Sequence, residues 1–145
     1  MTYFDSTYIA KFYVDEPESD AVRRLAESLG QVGCVAIGQV EVASAFHRKF
    51  REGTFDARAF RAVMAQFDDD CRAGLWTWLP LTGALAARAT AAFVGMPRPL
   101  FLRAADALHL VCAQEHGLAE IYTNDRHMSA AARHFRLKPI IVAPR

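Results

Sequence analysis

The sequence predicts an α/β fold, a short parallel sheet of about four to five strands flanked by helices on both faces. Three observations predict it. Brief runs of strand-favouring residues recur along the chain, stretches with helical periodicity separate them, and turn residues bound the runs. Strands that alternate with helices pair in parallel, because each helix carries the chain back to the edge from which the next strand starts. With 52% apolar and 23% charged residues, a chain of 145 residues builds one core, so residues 1–145 form a single domain.

Tyr3 and Phe4 begin the first strand, which ends at Asp5, and residues 7–13 form a short apolar helix. Glu16-Pro17 opens a second helix that stops near Gly30, since proline is tolerated in a first helical turn. Residues 34–37 are the second strand. Gly38 then leads into a helix that carries Glu41, Phe46 and Phe50 and stops at Gly53. Phe60, Val63, Met64, Phe67 and Cys71 fall at i, i+3, i+4, i+7 and i+11, the stripe of an amphipathic helix. Residues 75–81 form the third strand, with Trp76 and Trp78 on one side. The alanine-rich residues 82–94 are helical, residues 96–99 form a proline-bearing loop, and residues 103–116 form a helix closed by Gly117. Residues 121–123 and 140–142 supply the last strands, with a helix around residues 128–135 between them.

Composition narrows the function classes. A net charge of +1 gives no global attraction to polyanions, so any nucleic-acid site must be a local patch. The apolar run at residues 107–113 contains His109 and falls far short of the ~20 residues of a membrane span. No basic region followed by an apolar stretch opens the chain, which reads as cytoplasmic without a membrane partner. Cys34, Cys71 and Cys112 are odd in number and widely spaced, as core residues are and as disulfide or zinc frameworks are not.

In such sheets ligands bind beyond the carboxyl ends of the strands, where four carboxylates stand out. Asp5 ends the first strand, Glu41 follows the second, Asp106 interrupts AADALHLVCA, and Asp125 follows IYT. Taken singly, Asp5 and Asp125 also read as helix N-caps, and Glu41 as a partner for a helix dipole. Asp106 is different. Apolar neighbours surround it on nearly every helical face, so its charge needs a partner, and Arg103 is the one cation in helical reach. Two unit charges about 4 Å apart repel by about 4 kcal/mol at an effective dielectric of about 20. Four converging carboxylates therefore require a positive centre, and an all-oxygen donor set fits Mg²⁺ or Mn²⁺ better than zinc or copper. Ser6 adds a hydroxyl beside Asp5, as a further ligand or as a cap.

YFDSTYIAKFY, QVEVASAF, RAADALHLVCA and IYTNDRHM, in this order and spacing, resemble the PIN domain, most closely the VapC-type toxin ribonucleases of bacterial toxin–antitoxin pairs. The resemblance covers essentially the whole chain. It implies an acidic site at Asp5, Glu41, Asp106 and Asp125, with Ser6, Thr123 and Asn124 as polar support. It also implies a Mg²⁺- or Mn²⁺-dependent endoribonuclease, usually a homodimer, inhibited by a cognate antitoxin. Asp5, Asp106 and Asp125 would hold the metal, and Glu41 would orient or deprotonate the nucleophile that attacks RNA. One departure lies at Ile37-Gly38-Gln39, where many members carry Ser or Thr.

Arg48, Lys49, Arg51, Arg58 and Arg61 form a basic segment; Arg48, Arg58 and Arg61 are candidates to track an RNA backbone, although a solvated helix face has the same composition. Asp68-Asp69-Asp70 falls on the polar side of its helix and reads as solvated. His109 reads first as a packed or hydrogen-bonded histidine and second as a proton-transfer group near Asp106. Trp76 and Trp78 read as core or dimer packing before base stacking. Two other classes compete. A non-catalytic PIN-like module for RNA or protein is disfavoured by the presence of all four acids. A receiver-type phosphoacceptor domain fails because Lys138-Pro139 precedes the final apolar segment and Asp56 lies between helices.

Overall fold

Five parallel strands lie in the order β3-β2-β1-β4-β5 in the computed structural model, which describes residues 1–143. They are β1 (Thr2–Phe4), β2 (Val32–Val35), β3 (Trp76–Leu79), β4 (Glu120–Tyr122) and β5 (Lys138–Ile140). Helices α1 (Ser6–Tyr13) and α2 (Ser19–Ser28) join β1 to β2, and α3 (Ile37–Arg51) and α4 (Ala57–Ala73) join β2 to β3. Then α5 (Gly83–Ala92) and α6 (Ala104–Glu115) lead to β4, and α7 (Arg126–Ala132) leads to β5.

Period-two alternation divides the core. Tyr3, Val35 and Leu79 face one layer, with Leu85, Leu110, Val111, Met128 and Phe135 from the later helices. Phe4, Cys34 and Trp76 face the other, with Ile9, Val22, Val42, Phe46 and Phe67 from the earlier ones. Both faces of the sheet are therefore covered, as a parallel sheet requires.

Several boundaries differ from expectation, the second strand beginning already at Val32, and three of the differences have a clear local reason. The last strand is Lys138–Ile140 rather than residues 140–142, because the Lys138 N–H donates to Ala119 O at 2.8 Å and sets the register two residues earlier; Ile141 projects into solvent. The second strand stops at Val35, since Ala36 already has helical backbone angles and Ile37 opens α3. The second helix starts at Ser19 after a turn, where the Ser19 hydroxyl accepts the Glu16 N–H at 3.0 Å. Trp76 and Trp78 pack in the core on the α1–α4 side, and the Trp76 indole donates to Tyr13 Oη at 2.7 Å. They are packing residues.

From β1 the chain works outward through β2 to β3, whereas β4, on the other side of β1, leads outward to β5. The reversal between β1 and β4 opens a crevice at their carboxyl ends. Gly38 lets the start of α3 pack close against β2, because a Cβ there would collide with Cys34 Sγ.

Candidate active site

Each central strand delivers one acid to the crevice. Asp5 leaves β1 and caps α1, its Oδ1 accepting the Tyr8 N–H at 2.9 Å while Oδ2 accepts the Thr7 hydroxyl at 3.1 Å. Asp125 follows β4 and caps α7, its Oδ1 accepting the N–H groups of His127 and Met128, each at 2.8 Å. Cap and site are thus compatible readings of one carboxylate, since the cap at Asp125 uses a single oxygen. Thr123 ties the two acids together. Its Oγ1 accepts the Asp125 N–H at 3.0 Å, and its hydroxyl, beside Asp5, works to lower that carboxyl's pKa.

Asp106, in the first turn of α6, is almost fully buried. Arg103, just ahead of that helix, donates from Nε to Asp106 Oδ2 at 2.7 Å and from Nη2 to Asp106 Oδ1 at 3.3 Å. The same Nη2 reaches Asp125 Oδ2 at 2.7 Å, so one guanidinium bridges two of the acids. Hydrogen bonding to Asp106, then the charges of Asp106, Asp125 and Glu41, hold its pKa above the ordinary arginine value. Glu41, on α3, closes the other wall, with Oε1 2.6 Å from His109 Nε2. The positive centre that the sequence demanded is therefore, in the first instance, Arg103.

Asp5 is raised above the ordinary aspartate pKa chiefly because burial penalises its charge; Thr123, the Tyr8 N–H and Thr7 lower it in part. Mutual repulsion among the acids is not what raises it.

Of the other expected residues, Ser6 and Arg48 line the same cleft. Asn124 serves packing instead, with its Oδ1 accepting the Tyr8 hydroxyl at 2.8 Å. Arg58 and Arg61 lie on α4, apart from the cleft lining. Within the aspartate run, Asp68 pairs with Arg72 and Asp70 accepts the Tyr13 hydroxyl at 2.7 Å. Sequence reasoning did not assign Thr7, Ser44 or Arg103 to the cleft, nor single out Arg51. A signal for two of them was present: Glu41, Ser44, Arg48 and Arg51 share one face of α3 at helical spacing.

A sequence profile of the PIN domain matches residues 2–134. The chain belongs to the PIN-domain family. Ribonuclease VapC46 of Mycobacterium tuberculosis is 33% identical to it over 147 residues, covering 98% of this chain and 96% of that protein. The crystal structure of M. tuberculosis VapC20, a toxin that cleaves the sarcin–ricin loop, superposes with a TM-score of 0.71 at 18% identity, over 90% of this chain and 95% of that one. A toxin–antitoxin complex from Klebsiella pneumoniae gives a TM-score of 0.59 at 18% identity, over 100% and 98%. At those identities the solved structures show the PIN fold, and VapC46 places the chain among VapC-type members.

PIN-domain nucleases generally use a divalent metal. Among the described residues no group of three or more His, Cys, Asp or Glu side chains is arranged to hold an ion as it stands. The donor chemistry nonetheless fits a hard cation: the available ligands are carboxylate and hydroxyl oxygens, and a cation, the Arg103 guanidinium, already occupies the place between Asp106 and Asp125. An ion held by these acids would compete with Arg103 for their oxygens. No helix among the described residues is long and apolar enough to cross a membrane.

Proposed function

We infer that this PIN domain is a Mg²⁺- or Mn²⁺-dependent endoribonuclease, acting as the toxin of a type II toxin–antitoxin pair. The observation that carries the reading is the guanidinium of Arg103, held at the β1/β4 switch point by Asp106 and Asp125 and raised in pKa by Glu41 as well. Acids from three separate segments act on one cation there, and a fourth, Asp5, is linked to them through Thr123. The kinship with a VapC ribonuclease supports the reaction class, and the likeness to a toxin–antitoxin complex supports an antitoxin partner.

Asp5, Asp106 and Asp125 would hold the ion. When bound, it supplies positive charge to the phosphodiester and acidifies water. The remaining work belongs to the chain. Glu41, with Oε1 engaged by His109, has Oε2 free to take a proton from the attacking water. Arg48 and Arg51 line the cleft from α3 and hold phosphates that flank the scissile one. Arg103, displaced from one carboxylate, stays within reach to neutralise charge on the phosphate. The connection between α5 and α6 exposes Phe93, Val94 and Phe101, apolar surface suited to a homodimer.

The test is to purify the protein free of its antitoxin, incubate it with total RNA and Mg²⁺ or Mn²⁺, and map the cut ends. Discrete cuts that require metal support the reading; intact RNA with every divalent ion contradicts it.

A further inference from the structure

Behind Glu41 lies a chain of buried groups that cleavage as described does not use. His109 is fully buried on α6, one turn past Asp106, with Nε2 2.6 Å from Glu41 Oε1 and Nδ1 3.0 Å from Tyr3 Oη. Tyr3, also fully buried, accepts the Val35 N–H at 3.1 Å, and its ring meets the imidazole edge to face with centroids 5.9 Å apart. The path runs from the backbone of β2 through side chains of β1 and α6 to α3. It links the sheet to Glu41, the site acid with the longest side chain.

The protons can be assigned. A backbone N–H only donates, so Tyr3 Oη accepts from Val35 and still has its own proton to give. Given to His109 Nδ1, that proton leaves the ring N–H on Nε2, aimed at Glu41, and each buried donor in the path then has a nitrogen or oxygen acceptor. Protonating both ring nitrogens would turn the Tyr3 proton toward the neighbouring thiols of Cys34 and Cys112, which are weak acceptors. With Tyr3 as its donor at Nδ1, the ring carries its proton on Nε2. Glu41 has three rotatable bonds and a side chain 30% exposed, and among the described residues His109 is the one side chain that hydrogen-bonds it and so fixes which oxygen faces the cleft.

We propose that His109 is a positioning residue: anchored by Tyr3 to the Val35 N–H, it holds Glu41 Oε1 through Nε2–H and so presents Oε2 to the reacting water. The proposal rests on the reading of Glu41 as the group that handles the nucleophile's proton. His109 itself touches neither RNA nor metal.

The experiment has a part that needs neither RNA nor metal. Nitrogen-15 NMR of the free wild-type protein is expected to show Nε2 protonated and Nδ1 bare, and Glu41→Ala to shift the Nε2 proton. A doubly protonated ring at neutral pH, the Nδ1–H tautomer, or a proton indifferent to Glu41→Ala overturns the proposal. Tyr3→Phe, which keeps the ring and removes its hydroxyl, is expected to mix the tautomers, and an unchanged tautomer counts against the anchor. In turnover, His109→Leu should lower kcat by at least about tenfold with KM little changed, the usual scale for a supporting residue behind a reacting group. His109→Gln, whose amide N–H can stand where Nε2 stood, should recover most of that loss. Equal losses in the two variants overturn the proposal. A wild type that cleaves no RNA sinks the nuclease reading alone, and the NMR results then decide the positioning claim by themselves.

Discussion

Because Asp5 is buried behind the first turn of α1, its charge at neutral pH is supported by the Tyr8 N–H, Thr7 and Thr123 rather than by water, and burial outweighs them. Its native pKa therefore lies above the unfolded value of about 3.9. Below the unfolded value both states hold the proton and stability is unaffected; between the two values the native state binds more protons, so stability falls as pH rises through that window. Asp5→Asn keeps the cap acceptor and removes the charge. In chelator the variant should melt above wild type at about pH 7.5, and the gap should close toward about pH 4. A gap of the same size at both pH values would mean that the Asp5 charge carries no such cost. Arg103 gives a prediction of opposite sign. Its side chain is 57% exposed but Asp106 is nearly buried, so removing it leaves a buried carboxylate alone. Arg103→Gln should cost the metal-free protein about 1–2 kcal/mol, between the exposed and buried limits for ion pairs. For a chain of this size that lowers Tm by about 3–6 °C. Added Mn²⁺ should raise the variant's Tm more than it raises that of wild type, because the competitor for Asp106 and Asp125 is gone. Equal metal responses would separate Arg103 from the metal site.

Among the helices, α3 supplies most of the cleft wall. One face of it aligns Glu41, Ser44, Arg48 and Arg51 along the cleft, while the opposite side buries Val42 and Phe46 in the core. Phosphate contacts contribute about 0.7 to the salt slope each for single-stranded RNA, so Arg48→Gln with Arg51→Gln should flatten the slope of binding by about 1.4. Arg58→Gln with Arg61→Gln should leave it unchanged, which filter binding across a salt series can resolve. This divides a basic segment that the sequence could only treat as one block, since nothing in composition says which face of which helix turns to the crevice. The helices themselves were legible, because Phe60 to Cys71 repeats with the helical period and Asp56 and Thr82 cap as their types prefer. Strand ends were less so. At β5 three apolar residues drew the expectation to 140–142, whereas backbone hydrogen bonds from the Lys138 N–H to Ala119 O and from the Thr123 N–H to Ile140 O fixed the register.

For the whole molecule, the parallel sheet and the four acids were legible because each acid interrupts an apolar context at the end of a strand or inside a helix, a placement that solvation alone does not explain. Their long-range partners were not. Arg103 stands three residues before Asp106, within helical reach, yet its second bond, to Asp125, spans 22 residues and exists only through the β1/β4 reversal. His109 meets Glu41 across 68 residues by the same topology. Assembly supplies one test at this scale: light scattering should find a homodimer, and Val94→Asp with Phe101→Asp should yield folded monomers, whereas a wild-type monomer would contradict the apolar surface between α5 and α6 as an interface. If the carboxylates at the switch point exchange an internal guanidinium for a divalent ion, Mn²⁺ binding followed by electron paramagnetic resonance on the protein without RNA reads that exchange. Wild type is expected to bind Mn²⁺ saturably and Asp106→Asn, still folded by circular dichroism, to lose that binding. Saturable binding of equal strength in both proteins, or none in wild type, would contradict the account.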